Sequence, residues 1–187
     1  MDLSPFLVLD YGCGKLRYSV HLAKNANRLT LVDSEVQLAR TQVVCDETCT
    51  IREYVEKHWR QARVINHLDF RDDNARYDFV LCANVLSAIP YSRTRMSIVK
   101  LVADRLTARG QCLFICQYTN SYFCTQMADP KITKYADGFI KGNCDNASFY
   151  GLIKPPALRQ LVLDNGLEIR ETWIHDQSGY VIAQRPH

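Results

Sequence analysis

The stretch FLVLDYGCG, residues 6–14, decides the fold. Its first half, FLVLD at 6–10, is a short apolar run, and such a run bounded by glycines predicts a buried strand of a parallel sheet. Gly12 and Gly14 follow at once, and glycines after a strand let the backbone approach a ligand closely. A helix is predicted over about 17–24, and its N-terminus offers free amide groups. This order predicts a ligand site at the end of the first strand.

The rest of the chain alternates strands with helices. Apolar runs predict further strands at 29–33, 63–66, 77–83 and 111–118, and two alternating segments after Gly166 predict a pair of antiparallel edge strands. The predicted fold class is α/β, with a doubly wound, seven-stranded, mostly parallel sheet, a C-terminal antiparallel hairpin and helices on both faces. Ligands of such sheets bind at the carboxyl ends of the strands.

Caps and apolar spacing predict the helices. Ser34 with Gln37 and Thr50 with Glu53 form capping-box pairs, and Gly110 stands where a glycine would end a third helix. The predicted buried stripes are Val36, Ala39 and Val43; Ile51, Tyr54, Val55, His58 and Trp59; Met96, Val99, Ala103 and Leu106; and, after Pro155 and Pro156, Leu158, Leu161 and Val162.

Composition limits the class of protein. The 187 residues fit one domain spanning 1–187, and 47% hydrophobic with 23% charged residues is typical of a globular chain. Apolar runs are too short to span a bilayer, and the N-terminus lacks secretory features, so we expect a cytoplasmic protein without a membrane partner. A net charge of +3 is too small to predict nucleic-acid binding, which makes DNA an unlikely partner.

The eight cysteines are expected to stay reduced. Cys112 and Cys116 fall on one face of a predicted strand, where thiols pack as small apolar groups. A zinc site needs three or four convergent ligands, and the spacing of the cysteines predicts none, so no metal is expected.

Asp33 closes the second predicted strand, 19 residues after Gly14. A carboxylate there can accept hydrogen bonds from both ribose hydroxyls of a nucleoside, although strand-end acids also cap helices. A dinucleotide site would need a third glycine at position 17, where Arg17 stands, and Asp10 would repel a pyrophosphate. An acid at position 10 suits a cationic ligand instead, which favours S-adenosylmethionine over a nicotinamide or flavin dinucleotide.

Four segments resemble the ordered motifs of class I, Rossmann-like, S-adenosylmethionine-dependent methyltransferases. VLDYGCG resembles their first motif, LTLVDSE their second-strand motif, YDFVLCANVLSAIP their fourth-strand motif and LTARGQCLFICQY their fifth-strand region. The resemblance covers 6–118, and the terminal helix and hairpin also match. It implies a cofactor site made of Asp10, Gly12 and Gly14 at the methionine and ribose, Asp33 at the ribose hydroxyls, Ser34 beside the adenine, Asp69 and Phe70 at the adenine amine and ring, and Ala83 and Asn84 under the sulfonium.

Three features of this chain leave alternatives open. Asp72 and Asp73 compete with Asp69 for the adenine contact, and Leu16 replaces a glycine often found at that position. Only five residues precede the first strand, whereas relatives commonly begin with a helix that covers the cofactor. Such a lid would come from an insertion at 119–154, from a second copy or a partner protein, or be absent.

Methyl transfer to an activated sulfonium depends mainly on proximity and alignment, so a general base is needed only for some acceptors. Candidate catalytic groups near strand ends are Tyr118, Tyr122, Tyr150 and His175, although loop packing and surface exposure also explain these side chains.

The absence of two sequence motifs narrows the chemical class of the methyl acceptor. Neither an Asn-Pro-Pro-Tyr-type motif nor a Pro-Cys pair follows the fourth strand, which argues against methylation of nucleic-acid bases. The insertion at 119–154 is expected to shape the acceptor site, and its charge balance of +1 is too small for a polyanion groove. A small molecule is therefore the leading acceptor, with a protein or RNA as the alternative. A catalytically silent S-adenosylmethionine-binding module acting with a partner is the main competing hypothesis, and an oxidoreductase is the third.

Overall fold

The computed structural model describes residues 6–118, 121–142 and 147–186. The strands are β1 Leu7–Tyr11, β2 Arg28–Asp33, β3 Gln42–Val44, β4 Glu47–Cys49, β5 Ala62–Asn66, β6 Tyr77–Ala83, β7 Leu106–Gln117, β8 Thr133–Tyr135, β9 Gly138–Lys141, β10 Ser148–Gly151, β11 Glu168–His175 and β12 Ser178–Gln184. The helices are α1 Ser19–Asn25, α2 Glu35–Ala39, α3 Ile51–His58, α4 Asp69–Asp72, α5 Ser92–Asp104, α6 Ser121–Ala128 and α7 Pro155–Leu163, with a 3₁₀ turn at Leu86–Ala88.

Seven strands form the main sheet in the order β11-β12-β7-β6-β1-β2-β5, which confirms the predicted fold class. β1 pairs in parallel with β2 and β6, β2 pairs in parallel with β5, and β11 pairs antiparallel with β12. Only β11 of the terminal hairpin is an edge strand, since β12 lies between β11 and β7. The prediction of two edge strands was therefore wrong.

The described chain divides into two compact units. The first contains residues up to Leu81 with Arg105–Gln111, and the second contains Cys82–Asp104 with the residues from Cys112 onward. In the first unit, the register of β1, β2 and β5 aligns Tyr11 with Val32 and Asp33 with Asn66. The carboxyl ends of these strands therefore meet at one edge.

The segment after β2 differs from its prediction. α2 ends at Ala39, and Val36, Ala39 and Val43 are exposed rather than buried, because the chain turns into the hairpin β3–β4. Cys45 and Asp46 form its two-residue turn, and both have positive φ, as a type I′ turn requires.

The boundary between α5 and β7 also differs. Met96 is exposed, and Leu106 is buried as the first residue of β7 rather than the last of a helix. Gly110 lies inside β7 and ends no helix. A Cβ there would come within 2.7 Å of the Tyr77 carbonyl oxygen, so close backbone packing explains this glycine.

The insertion at 119–154 contains more regular structure than its weak periodicity predicts. Its described residues include α6 and a three-stranded antiparallel sheet, β10-β9-β8. Phe139 is fully buried there, with rings of Phe123 and Tyr150 at 5.2 and 5.3 Å between centroids. Gly138 lies against the backbone of Tyr150, where a Cβ has no room.

Candidate cofactor site

The loop after β1 is fastened to the end of β2. The backbone N–H groups of Gly12 and Cys13 both donate to the Val32 carbonyl, at 2.7 and 3.0 Å. Gly12 and Gly14 have φ of 84° and 54°, a left-handed conformation that glycine adopts without strain. The sequence therefore uses glycine here to fold the chain back across the carboxyl ends of two neighbouring strands.

Asp33 is half-buried at the end of β2, and its carboxylate is held at both oxygens. Oδ2 accepts from the Gly14 N–H at 2.8 Å, and Oδ1 accepts from the Ser34 N–H at 2.7 Å. The Ser34 hydroxyl caps α2 by accepting from the Gln37 N–H, and the Gln37 side chain donates to the Gly14 carbonyl. Each carboxylate oxygen keeps a lone pair, so Asp33 can accept two further hydrogen bonds from a ligand.

Asp10 is buried in β1, and only 2% of its surface is exposed. Burial raises the pKa of this carboxyl to about 7, the hydrogen bond that Ser19 donates at 2.5 Å lowers it in part, and the charge of Asp33 raises it further. A cation bound nearby would favour the ionised form of Asp10.

Leu16 has a left-handed backbone conformation, which glycine adopts more readily than leucine. Its φ is 63°, its N–H donates to the Cys13 carbonyl at 2.9 Å, and its side chain is fully buried. Burial of the leucine side chain offsets the strain of the left-handed backbone at this position.

The structure places the three candidates for the adenine contact, Asp69, Asp72 and Asp73, in different surroundings. Asn66 accepts from the N–H groups of Leu68 and Asp69 and donates to the Asp69 carboxylate at 2.7 Å, which holds Asp69 at the carboxyl edge. Asp73 instead pairs with Arg63, near the start of β5. Asp72 is exposed at the end of α4.

Phe70 lies in the core rather than at the surface. It is fully buried, its ring centroid lies 5.9 Å from that of Tyr11, and the Arg105 guanidinium lies 5.6 Å above it. Neighbouring side chains cover the Phe70 ring, so the predicted contact of Phe70 with the adenine would require this side chain to move, and the contact stays a prediction. Two apolar side chains that sequence reasoning missed are exposed beyond β2 and β5, namely Val36 at 78% and Leu68 at 58%.

Ala83 and Asn84 belong to the second unit. Ala83 is buried at the end of β6, and Asn84 is exposed with φ of 60° while its N–H donates to the Ile115 carbonyl. Asparagine is among the residues that tolerate this left-handed backbone.

The four predicted catalytic candidates all lie in the second unit. Tyr122 and Tyr150 lie in the insertion, where the Lys141 ammonium donates to the Tyr122 hydroxyl at 2.7 Å. This bond is the main cause that raises the pKa of Lys141. His175 is exposed beside Asp176 at the hairpin turn, and the Tyr118 N–H donates to the Gln177 carbonyl of that turn. Sequence reasoning missed Lys141, because a single lysine carries no motif.

The described residues contain no group of three or more metal-binding side chains. Within the same ranges, no helix is long and apolar enough to cross a membrane.

No family model matches this chain. The uncharacterized protein YmfD of Escherichia coli (strain K12) is 36% identical over 173 residues, which cover 92% of this chain and 77% of YmfD. A methyltransferase structure from Methanosarcina mazei has a TM-score of 0.69 at 19% identity, covering 96% of this chain and 92% of that one. The 1,6-didemethyltoxoflavin-N1-methyltransferase of Burkholderia thailandensis, solved with bound 1,6-didemethyltoxoflavin and S-adenosylhomocysteine, has a TM-score of 0.68 at 15% identity, covering 98% of this chain and 72% of that one.

The order of the seven strands and the similarity to these solved structures indicate the same fold. The chain belongs to the same family as YmfD, and its fold is that of the class I S-adenosylmethionine-dependent methyltransferases.

Proposed function

We propose that this protein is an S-adenosylmethionine-dependent methyltransferase acting on a small molecule. The observation that carries the proposal is the Asp33 carboxylate, which two backbone amides fix at the carboxyl edge of the sheet with a free lone pair on each oxygen. A carboxylate held in this way is ready to accept both hydroxyls of a ribose.

The glycine loop supports a cationic cofactor better than a dinucleotide. The amides of Gly12, Cys13 and Gly14 all donate to β2 or to Asp33, so these three are not free to cradle a pyrophosphate. Asp10 adds a buried acid directly behind the loop. S-adenosylmethionine carries an ammonium and a sulfonium, which an acidic edge attracts.

We assign roles to the remaining residues on the same basis. Asp69 would accept from the adenine amine, Ser34 would lie beside the ring, and Val36 and Leu68 would cover its faces in place of Phe70. Asp10, Gly12 and Gly14 would hold the methionine and ribose, and Ala83 and Asn84 would lie under the sulfonium.

When bound, S-adenosylmethionine would supply an activated methyl group for in-line transfer to an acceptor lone pair, and S-adenosylhomocysteine would be the leaving group, taking the electron pair of the carbon–sulfur bond. The chain's own task is to hold that methyl group and to align the acceptor.

The insertion is the proposed acceptor-binding segment. Phe139 packs against Phe123 and Tyr150 in its described part, and the exposed Tyr122 and Tyr150 lie near Lys141. A planar, weakly anionic small molecule would suit such a surface better than a polyanion, since the charge balance of the insertion is close to zero. The Burkholderia thailandensis structure, with its small-molecule acceptor, is consistent with this choice.

Ligand-dependent thermal unfolding tests the cofactor. We expect S-adenosylmethionine and S-adenosylhomocysteine each to raise the unfolding midpoint in a concentration-dependent way, and NAD⁺ to leave it unchanged. A shift with NAD⁺ and none with the sulfonium cofactor would overturn the proposal.

The silent-module hypothesis predicts the same thermal shift without turnover. Release of S-adenosylhomocysteine across a panel of heteroaromatic and phenolic acceptors separates the two. Binding without turnover on the whole panel would favour the silent module.

A further inference from the structure

The amino-terminal edge of the first unit contains a hollow of about 540 Å³ surrounded by arginines. Its lining includes the side chains of Arg28, Arg60, Arg63 and Arg76, with Leu29 and Tyr77 below them. A space of this size is typical of small-molecule sites. None of these residues belongs to the proposed cofactor site.

The topology of the sheet brings these arginines together. Arg28 begins β2, Arg60 and Arg63 flank the start of β5, and Arg76 precedes β6. The strands β1, β2, β5 and β6 run parallel, so their first residues share one edge. The Asp33 carboxylate lies at the opposite end of the same strands.

Internal contacts hold Arg63 in place. Its Nε donates to the Thr30 hydroxyl at 3.0 Å, one terminal nitrogen donates to the Tyr77 hydroxyl at 3.0 Å, and the guanidinium pairs with Asp73. Arg28 and Arg60 differ, because neither side chain has a hydrogen-bond or ion-pair partner among the described residues. They are exposed and able to turn toward a ligand.

The local charge is positive. Four arginines line the hollow, and no acid is among its described lining residues, although Asp73 and Asp78 contact Arg63 and Leu7 of the lining. Asp78 is occupied, since it accepts from the Leu7 N–H at 3.0 Å and from the Thr107 hydroxyl at 3.1 Å. One guanidinium group can donate two parallel hydrogen bonds to two oxygens of a phosphate group, a geometry that lysine does not offer.

We propose that this hollow, lined by Arg28, Arg60, Arg63 and Arg76, binds a small ligand that carries two or more adjacent phosphate groups. Arg63 presents a fixed guanidinium, while Arg28 and Arg60 close on the remaining phosphate oxygens. The apolar floor of Leu29 and Tyr77 leaves room for a ring attached to the phosphates. A small ligand fits better than a nucleic acid, because the basic residues surround one hollow and the net charge of the chain is only +3.

Calorimetric titration of the full chain with inorganic pyrophosphate tests the proposal, with inorganic phosphate as the comparison. We expect pyrophosphate to bind more tightly, and its affinity to fall as salt concentration rises. The double variant Arg28→Gln with Arg60→Gln should lose affinity by about tenfold or more, since two charge-assisted contacts are removed. Its thermal stability should not change, because neither side chain has a partner in the described structure.

The matched control is Arg93→Gln with Arg109→Gln, which removes the same charge from two exposed arginines outside the hollow. We expect it to bind pyrophosphate like the wild type, as should Asp33→Ala at the opposite edge. An equal loss in the control variant, or no pyrophosphate binding by the wild type, would overturn the proposal. Tighter binding of a short single-stranded RNA than of pyrophosphate would overturn the assignment to a small ligand.

Discussion

The two ends of the strands β1, β2 and β5 carry opposite charges. The carboxyl edge presents Asp10, Asp33 and Asp69, whereas the amino edge presents arginines. Parallel strands align like ends with like, so residues that follow each strand gather at one edge and residues that precede each strand gather at the other. Acids scattered over about 60 residues of sequence are thus brought to one edge of the sheet.

The two edges also differ in how their charged groups are held. Asp33 and Asp10 each have hydrogen-bond partners from their own unit, and Asn66 holds Asp69. At the amino edge Arg63 is held in the same way, but Arg28 and Arg60 are not. Fixed groups lose little entropy on binding, so we expect the carboxyl edge to bind its ligand more tightly.

The largest expected effect comes from Asp33→Ala. Losing two charge-assisted hydrogen bonds to the ribose should weaken S-adenosylmethionine binding by about 100-fold or more. Titration calorimetry measures this affinity. The control is Asp72→Ala, because Asp72 is an exposed acid outside the proposed site. The variant should also unfold about 1–2 kcal/mol more easily, since Gly14 and Ser34 lose their acceptor. Unchanged affinity would remove Asp33 from the site.

Asp10→Asn should abolish a pH dependence of stability. The folded pKa is about 7 and the usual value is 3.8, so between these values the folded state holds a proton that the unfolded state has lost. The wild type should therefore lose stability relative to the variant as pH rises from about 4 to about 7, by up to about 1.4 kcal/mol per pH unit, and no further above that range.

Denaturant unfolding of the wild type and Asp10→Asn in ~0.1 M salt, at pH 5, 6, 7 and 8, measures this difference in stability. The same series with ligand should show tighter S-adenosylmethionine binding by the wild type as Asp10 ionises. Parallel stability curves for the two proteins would contradict the assignment of a raised pKa to Asp10.

The sequence predicted the carboxyl edge well because its residues obey strong local rules. The apolar run before Asp10 predicts a buried strand, and the glycines after it permit the positive φ of the loop at no steric cost. Thr50 forms its full capping box with Glu53, and the N–H of Gln37 donates to Ser34 as predicted.

Features set by distant contacts could not be predicted from the sequence. The Gln37 side chain leaves its capping box to donate to Gly14, 23 residues away. Phe70 on α4 is buried because Tyr11 of β1 and Tyr77 of β6 pack against its ring. The turn at Cys45 and Asp46 lacks the Asn-Gly signal of its type, and the small sheet of the insertion pairs strands too short to show a period.

Asp69→Ala should weaken S-adenosylmethionine binding by about tenfold, since one hydrogen bond from the adenine amine is lost. Asp72→Ala should leave it unchanged. Asp73→Ala should lower only stability, because it breaks the pair with Arg63 at the other edge. Inosine-containing S-adenosylmethionine, which lacks the amine, should bind the wild type and Asp69→Ala alike. A tenfold loss of S-adenosylmethionine affinity in Asp72→Ala instead would assign the adenine contact to Asp72.

The smallest expected effect comes from Leu68→Ser, which tests the replacement of Phe70 by an exposed neighbour. Leu68 is 58% exposed and contributes little to the core, so its loss should leave stability nearly unchanged while weakening cofactor binding about threefold to tenfold through lost apolar contact. Phe70→Leu should do the reverse and lower stability by about 1–2 kcal/mol, because a fully buried ring is removed while the cofactor keeps its contacts. Denaturant unfolding and titration calorimetry on both variants give the two quantities. An affinity that falls in Phe70→Leu and not in Leu68→Ser would return the adenine contact to Phe70, which then requires its side chain to leave the core when the cofactor binds.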